Sequence, residues 1–205
     1  MTKDKFCLGM PSYDNTTKFE DIEDPAFMKK LNEVRGKAPA EWSWIAQGGV
    51  SSIKNQKHCG SCAAFATVAV IDTCFWQQTN TMYDDLSEQH LMDCAYNHYF
   101  YDNSGAWGAF GCDGAWSPAY FDWIVQNNAG RMQTESSSPY EGKEKTCRDN
   151  DSGNYGGAHV TGQYNKWDTT EEEMKDVVYI NPVSTTIQVF TDLREKNNIN
   201  KNIQG

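Results

Sequence analysis

The chain has 205 residues, of which 39% are apolar and 13% aromatic, so it can bury a core and is too apolar for a disordered segment. Its formal net charge of −10 argues against a phosphate-binding surface, and so against nucleic acid as a partner. No apolar run approaches the roughly 18 residues that cross a membrane. The length suits one large domain or two small ones.

Seven cysteines are many for a reducing compartment, and the odd count fits paired cysteines plus at least one thiol. Two N-glycosylation sequons, Asn15-Thr16-Thr17 and Asn150-Asp151-Ser152, point with them toward a lysosomal or extracellular setting. The first residues, Met1 to Cys7, hold no apolar signal core, so the expectation is a chain whose beginning is missing.

In chain order, residues 1–37 are polar and acidic. Pro25 is placed to start a short helix after the cap-like Asp21 to Asp24. Residues 38–56 hold Pro39, Trp42, Trp44, Gly48 and Gly49 and read as extended strand and turns. Cys62 to Ile71 is almost wholly apolar and small, which predicts a central buried helix that frays near Gln77 to Asn80. Leu86 to Cys94 predicts a short helix capped by Ser87, with Leu86 and Leu91 as a hydrophobic staple. Residues 95–111, rich in Tyr, Asn and Gly, read as a long loop. Ser117-Pro118 starts another helix, with Gly130 as its C-cap. Thr170 and Glu173 form a capping box for a helix that stops before Pro182. Val183 to Phe190 reads as a strand. Helices fill the middle and strand signals come late, which is an α+β arrangement.

The chemistry concentrates in Gln56-Lys57-His58-Cys59-Gly60-Ser61-Cys62. A thiolate is a strong nucleophile, free cysteine titrates near ~8.5, and a helix N-terminus favours the anion. Cys62 opens the central helix. Acyl transfer also needs donors for the developing oxyanion, and losing one costs about 10²–10³ in rate. The Gln56 amide and the Cys62 backbone N–H are candidates for that pair. The competing reading of Cys62 on these grounds alone is a buried, inert thiol.

Cys59-Gly60-Ser61-Cys62-Ala63 resembles the Cys-Gly-[Ser/Ala]-Cys-[Trp/Tyr] mark of the papain and cathepsin cysteine peptidases. Further segments resemble that family in order along the chain. They are Pro39 to Trp44, Gly48 to Gln56, Leu86 to Cys94, Gly111-Cys112-Asp113-Gly114-Ala115, Ser138-Pro139-Tyr140-Glu141-Gly142 and Pro182-Val183-Ser184. Lys5 to Met10 and Lys18 to Phe27 look like the tail of a cathepsin L-type propeptide.

The resemblance implies a papain-like two-domain α+β fold. Residues 1–37 would be a propeptide remnant lying along the active-site cleft. Residues 38–160 would be the helical L domain with the catalytic cysteine, and 161–205 the incomplete start of the β-barrel R domain. It implies a cysteine endopeptidase with Cys62 as nucleophile and Gln56 in the oxyanion hole. Ser61, Gly114 and Ala115 would line the cleft, which binds an extended peptide by strand-like hydrogen bonds, and Trp116 its S2–S3 wall. For Trp116 the rival reading is plain core packing. Disulfides are implied between Cys59 and Cys112 and between Cys94 and Cys147. Cys7 and Cys74 are left over, a bridge between them being an open alternative to a buried thiol at Cys74. No metal and no cofactor are implied. The partners would be peptide or protein substrates and cystatin-like inhibitors, for a monomer.

The chain departs from the pattern in three places. The family histidine is expected about 130–150 residues after the nucleophile, at about residue 192 to 212. No histidine follows His159, and the segment carrying the family's catalytic asparagine is not found either. His159 stands in Ala158-His159-Val160, superficially like the family context, yet precedes Pro182-Val183-Ser184 instead of following it. His58, His90 and His98 are not placed to serve as a base. Ala63 replaces an aromatic, and Ala115 the second glycine of a Gly-Gly turn. The expectation is therefore a peptidase by descent whose 205 residues are inactive alone. The alternative is a non-catalytic regulator acting through its propeptide-like segment.

Overall fold

The computed structural model describes residues 25–81, 85–102, 105–148, 154–165 and 169–186. The two glycosylation sequons, Cys7 and most of the propeptide-like segment lie outside these residues. Helix α1 runs Pro25–Val34, α2 Cys62–Thr79, α3 Glu88–Cys94, α4 Ser117–Asn127 and α5 Glu171–Ile180. Strands β1 (Tyr99–Asp102) and β2 (Gly105–Gly108) form an antiparallel ribbon, and Gly111–Asp113 a short 3-10 turn.

The central helix is α2, which packs against α3 and α4. Its Ala64, Thr67, Val68, Ile71 and Thr73 are buried, as an all-round apolar helix requires. The buried hydroxyls of Thr67 and Thr73 donate to the carbonyls four residues back, so their burial leaves no unmet donor. The helix ends at Asn80, whose left-handed φ of 52° lets its N–H return to the Trp76 carbonyl. Ser87 caps α3 by accepting from the His90 N–H at 2.9 Å, and Leu86 and Leu91 lie buried in the main core. Around α2 that core gathers Met92, Tyr120, Trp123, Ile124 and Met132.

The polar side chains of α3 are buried and tie down the loop that follows α4. Gln89 donates to the Lys143 carbonyl and accepts from the Glu141 N–H, and Asp93 accepts from the Lys145 N–H. Cys94–Cys147 fastens the same loop covalently, and Cys59–Cys112 fastens the start of α2 to the 3-10 turn. A bridge closing a loop of this size stabilises by about 2–4 kcal/mol. Cys74 is a thiol, so it does not bridge to Cys7.

A second, smaller cluster joins the two ends of the described chain. Leu31 of α1 packs with Val177 and Ile180 of α5, and Phe27 stacks on Tyr164 at 4.4 Å. Buried Asp176 accepts from the Gly36 and Ala38 N–H groups, and the Trp44 indole donates to the Val178 carbonyl at 2.8 Å. The described part of the propeptide-like segment is thus a helix clamped to α5. Capping at α5 follows its sequence, with Thr170 accepting from the Glu173 N–H.

Four sequence expectations are corrected. Residues 95–111 are not only loop, because Tyr99-Phe100-Tyr101 alternates aromatic side chains across two faces and pairs with Gly105–Gly108. Residues 38–56 hold turns and no strand, the Trp44 carbonyl accepting from Gly49 and the Ile45 carbonyl from Gly48. Residues 183–186 form no strand, and the rest of the expected strand lies outside the described residues. Asn128, not Gly130, is the C-cap of α4, since the chain turns left-handed at Ala129 and then Gly130, whose N–H returns to the Ile124 carbonyl.

Beneath α2 a single cation serves several carboxylates. Lys54 Nζ lies 2.8 Å from Asp85 and 2.6 Å from Glu88. Burial opposes the charge on Lys54, but Glu88 and Asp85 outweigh it and raise its pKa. Glu88 is pushed up to about 7 by burial, with Lys54 pulling the other way. Asp72 is pushed up to about 8 by burial and by the charge of Asp85. Lys54, Glu88 and Asp72 are each raised because one positive charge stands among several buried acids. The cluster keeps its lysine charged and favours the protonated forms of Asp72 and Glu88.

An acid with a raised folded pKa binds its proton more tightly when folded. Its burial carries no charge penalty below its unfolded value, and the full penalty above its folded value. Stability should therefore fall as pH rises from the ordinary values of 3.8 and 4.5 through the folded values of about 8 for Asp72 and 7 for Glu88. The melting temperature is expected to be higher near pH 5 than near pH 8, by several degrees on the order set by a ~1 kcal/mol change. Asp72→Asn should flatten this slope, and an unchanged slope would refute the assignment. In the smaller cluster, Leu31→Ala should cost about 2–5 kcal/mol locally and speed amide exchange in α1 and α5 while α2 stays protected.

Candidate active site

The loop from Asn55 to Ser61 delivers the chain to the first residue of α2. Lys57 takes a left-handed φ of 55°, and its N–H donates to the Asn55 side chain at 2.7 Å, which closes a tight turn. Gly60 N–H donates to the Cys112 carbonyl at 2.8 Å beside the Cys59–Cys112 bridge. Together they fix the loop against the 3-10 turn.

Tyr140 holds the same loop from the other side. Its hydroxyl donates to the Gln56 carbonyl at 2.8 Å and meets the Ser61 hydroxyl at 2.6 Å. A phenol has one proton, so Ser61 is the donor in the second bond. Burial pushes the Tyr140 pKa up to about 12, so this proton stays in place over the whole working range. The ring sits edge-on to Phe65 of α2 at 4.8 Å, and Glu135 accepts from the Tyr140 N–H at 2.7 Å. In the sequence Tyr140 stands within the family-like segment Ser138 to Gly142, with no role apparent from its neighbours. Its only signal was that position.

The Gln56 amide donates to the Cys59 carbonyl at 2.8 Å, which orients it back across the loop toward the helix start. A primary amide carries two N–H donors, and this bond uses one. Cys62 is the first residue of α2 and is partly buried. The first N–H groups of a helix have no acceptor within it, and they place partial positive charge there. Ser61 precedes the helix without capping it, its backbone at φ −95° and ψ 13° lying outside the extended region an N-cap adopts, and its hydroxyl bonds Tyr140. The Cys62 sulfur is itself held in a disulfide, so nucleophilic chemistry concerns its reduced form.

Across the Cys59–Cys112 bridge, residues 114–116 run antiparallel to residues 108–110. Phe110 N–H donates to the Gly114 carbonyl at 2.9 Å and Trp116 N–H to the Gly108 carbonyl at 3.2 Å. These bonds flank the Ala109–Ala115 bridge pair. In that pattern the N–H and C=O of Ala115 point to the opposite edge. Trp116 is only 6% exposed, because its ring lies under Trp107 of β2 at 4.5 Å. Ser61 and Ala115 are also buried, as is Gly114.

The four histidines are dispersed. His90 is buried in the core, where its Nδ1 accepts from the Gln133 N–H and its ring meets Trp123 edge-on. His98 Nε2 lies 2.7 Å from Asp122. His58 and His159 are exposed, and His159 lines a groove of about 560 Å³ between α1, α2, α4 and α5. Cys74 lines the same groove, and burial pushes its thiol up to about 11, which makes it a poor nucleophile near neutral pH. Ala63 packs at the margin of the main core together with Phe100 of β1. Among the described residues no group of three or more His, Cys, Asp or Glu side chains is placed to hold a metal. No helix among them is long and apolar enough to cross a membrane.

The chain is similar to known proteins in sequence and in fold. Residues 38–199 match the papain family cysteine protease profile. A pro-cathepsin H of Medicago truncatula is 36% identical over 157 residues, covering 76% of this chain and 41% of that protein. A cathepsin L-like proteinase of Fasciola hepatica is 33% identical over 155 residues, covering 75% of this chain and 43% of its own length. Among solved structures, a recombinant stem bromelain precursor superposes with a TM-score of 0.61 at 24% identity, over 87% of this chain and 48% of that one, a likeness of fold. A digestive procathepsin L2 proteinase from Tenebrio molitor is 32% identical with a TM-score of 0.50, over 60% of this chain and 35% of that one. The chain spans about two fifths of the length of the relatives it matches, with 41% and 43% for the two named. Its helical core, its few strands and this sequence match together place the chain in the papain family of cysteine proteases, with a papain-like α+β fold.

Proposed function

We propose that these residues supply the nucleophile side of a papain-type cysteine endopeptidase. One juxtaposition supports this most. A helix-opening cysteine and a glutamine amide share one hydrogen-bonded loop, and the Cys59–Cys112 bridge joins that loop to a chain edge at Ala115. An extended peptide pairing with the N–H and C=O of Ala115 would lie beside the start of α2. Reduced Cys62 would attack its carbonyl carbon. The oxyanion would take hydrogen bonds from the Gln56 amide and the Cys62 N–H. The amine would leave with a proton, and water would then release the acyl group from sulfur. Ser61, Gly114 and Ala115 border that cleft. Trp116, buried beneath Trp107, supports its wall from behind instead of facing the substrate.

The proton steps require a base, and His90 and His98 are committed to Gln133 and Asp122. On this reading the 205 residues alone turn over peptides poorly, since a Cys nucleophile needs an adjacent base for full activation. Residues 1–37 are read as the propeptide side of a zymogen. Two disulfides in the described residues, and relatives named as cathepsins and digestive proteinases, support a lysosomal or extracellular location. Peptides, proteins and cystatin-like inhibitors are the partners this reading expects. A second reading, a non-catalytic regulator, draws support from the disulfide that occupies the Cys62 sulfur.

Thiol labelling separates these readings. Without reductant, iodoacetamide should leave Cys62 unmodified. After mild reduction Cys62 should react, with a rate that climbs through the ordinary thiol range near ~8.5 and shows no acid-shifted plateau. Fast labelling near pH 5 would show that a base within this chain serves Cys62, against the expectation. Tyr140→Phe removes the hydroxyl that accepts from Ser61 and donates to the Gln56 carbonyl. It should cost about 1–3 kcal/mol in urea unfolding and lower the labelling rate of reduced Cys62. A rate unchanged from wild type would leave Tyr140 with a structural role only.

A further inference from the structure

The cysteines of the chain leave one pair to be matched. The sequence holds seven. Cys59 bonds Cys112 and Cys94 bonds Cys147, while Cys74 is a thiol. Cys62 is held in a disulfide as well. Within this chain that leaves Cys7 as its partner. Geometry excludes Cys74 independently. It follows Cys62 by 12 residues on the same helix. That is roughly 18 Å along the axis, whereas bridged Cα atoms lie within about 7 Å.

The reach of the chain permits this bond. Helix α1 is anchored beside the C-terminal end of α2, since Gln77 of α2 and Lys30 of α1 both donate to the Ile180 carbonyl, at 3.0 and 3.3 Å. Cys62 lies 15 residues before Gln77, roughly 22 Å back along α2. Pro25 opens α1 and follows Cys7 by 18 residues, which extend to about 60 Å at most. The tether is ample for Cys7 to meet the Cys62 sulfur. The other two bridges are held by their surroundings. Gly60 N–H bonds the Cys112 carbonyl beside the first, and Gln89 and Asp93 hold the loop beside the second. If broken, their sulfurs would remain close and re-form the bond. A bond whose partner is joined through a long tether re-forms against a lower effective concentration.

We propose that Cys7 and Cys62 form a disulfide that latches the propeptide-like segment onto the nucleophile and makes release of the site a reductive step. The reductant is a dithiol. One of its thiolates attacks the bridge, forms a mixed disulfide and releases the first chain sulfur. Its second thiolate then attacks the mixed disulfide, closes the reductant into a cyclic disulfide and releases the other chain sulfur. The dithiol gives up two electrons and two protons, and Cys7 and Cys62 take them as two thiols. While the bridge stands, Cys62 has no thiolate and cannot attack a peptide carbonyl. An occupied Cys62 sulfur is then a reversible state of a peptidase site, not evidence against one. The regulatory meaning of the latch rests on the reading of Cys62 as nucleophile in the preceding subsection. The bond itself does not.

The test is peptide mapping of the whole chain by mass spectrometry, with iodoacetamide treatment and digestion both carried out without reductant. A linked pair should join the peptide holding Phe6-Cys7-Leu8 to the one holding Cys62, with neither cysteine alkylated. Cys7→Ser should let iodoacetamide modify Cys62 without reductant, while Cys59–Cys112 and Cys94–Cys147 stay intact. Titrating the wild-type chain with a dithiol should free Cys7 and Cys62 in equal amounts before either of those bridges opens. Alkylation of Cys7 in the unreduced wild type overturns the latch. So does a Cys62 that stays blocked in Cys7→Ser, or a latch that opens only together with the other two bridges. The cleft reading has its own readout in the reduced chain, where a peptidyl chloromethyl ketone should modify Cys62 in preference to Cys7. If the two thiols react alike after the linked pair has been mapped, the latch stands and the cleft reading falls.

Discussion

The site depends first on the junction at Cys59 and Cys112. Here the loop before α2 meets the turn before residues 114–116, through one disulfide and one backbone hydrogen bond from Gly60. Without it, the first residue of α2 and the edge at Ala115 belong to separate stretches of chain. The Cys59 carbonyl also receives the Gln56 amide. One residue thus carries the covalent link, the orientation of the Gln56 amide and the approach to the helix. Tyr140 closes the loop from the far side with a proton that does not titrate in the working range.

The smaller cluster of α1 and α5 has a different character. It is built from few apolar side chains, with Asp176, Lys30 and Trp44 bonding to backbone across the gap between them. Stability in such a satellite is local. It can open while the core around α2 stays closed, and it is the part of the described chain that holds the end of the propeptide-like segment.

Elements whose cause is local were legible in the sequence. Ser87 caps α3 and Thr170 caps α5 because a hydroxyl at that spacing meets an orphan N–H whatever surrounds it. Cys62 opens α2 because small apolar residues follow it without a break. The ribbon was read as loop because its pairing depends on a partner strand of Gly and Ala that carries little propensity of its own. The roles of Tyr140 and Lys54 were hidden for a related reason. Each acts on residues tens of positions away, and nothing in its own neighbourhood marks the bond. The burial of Trp116 under Trp107 matches core packing, the rival reading of that residue.

The carboxylates under α2 bear on the field at its start, where Cys62 stands. Asp72 lies ten residues along the same helix, roughly 15 Å at the α-helical rise. If Asp72 and Glu88 were both ionised, Lys54 could neutralise only one of the acids around it. The remaining negative charge would oppose the positive field that an N-terminal thiolate relies on. With protons held at about 8 and 7, these groups stay largely neutral in acid, and the field at the helix start keeps its sign. The same protons that make burial of the acids tolerable therefore keep uncompensated negative charge off the helix that Cys62 opens. Acidic conditions thus favour the core, while a thiolate at reduced Cys62 forms only as the pH approaches the ordinary thiol range, so the two pull in opposite directions.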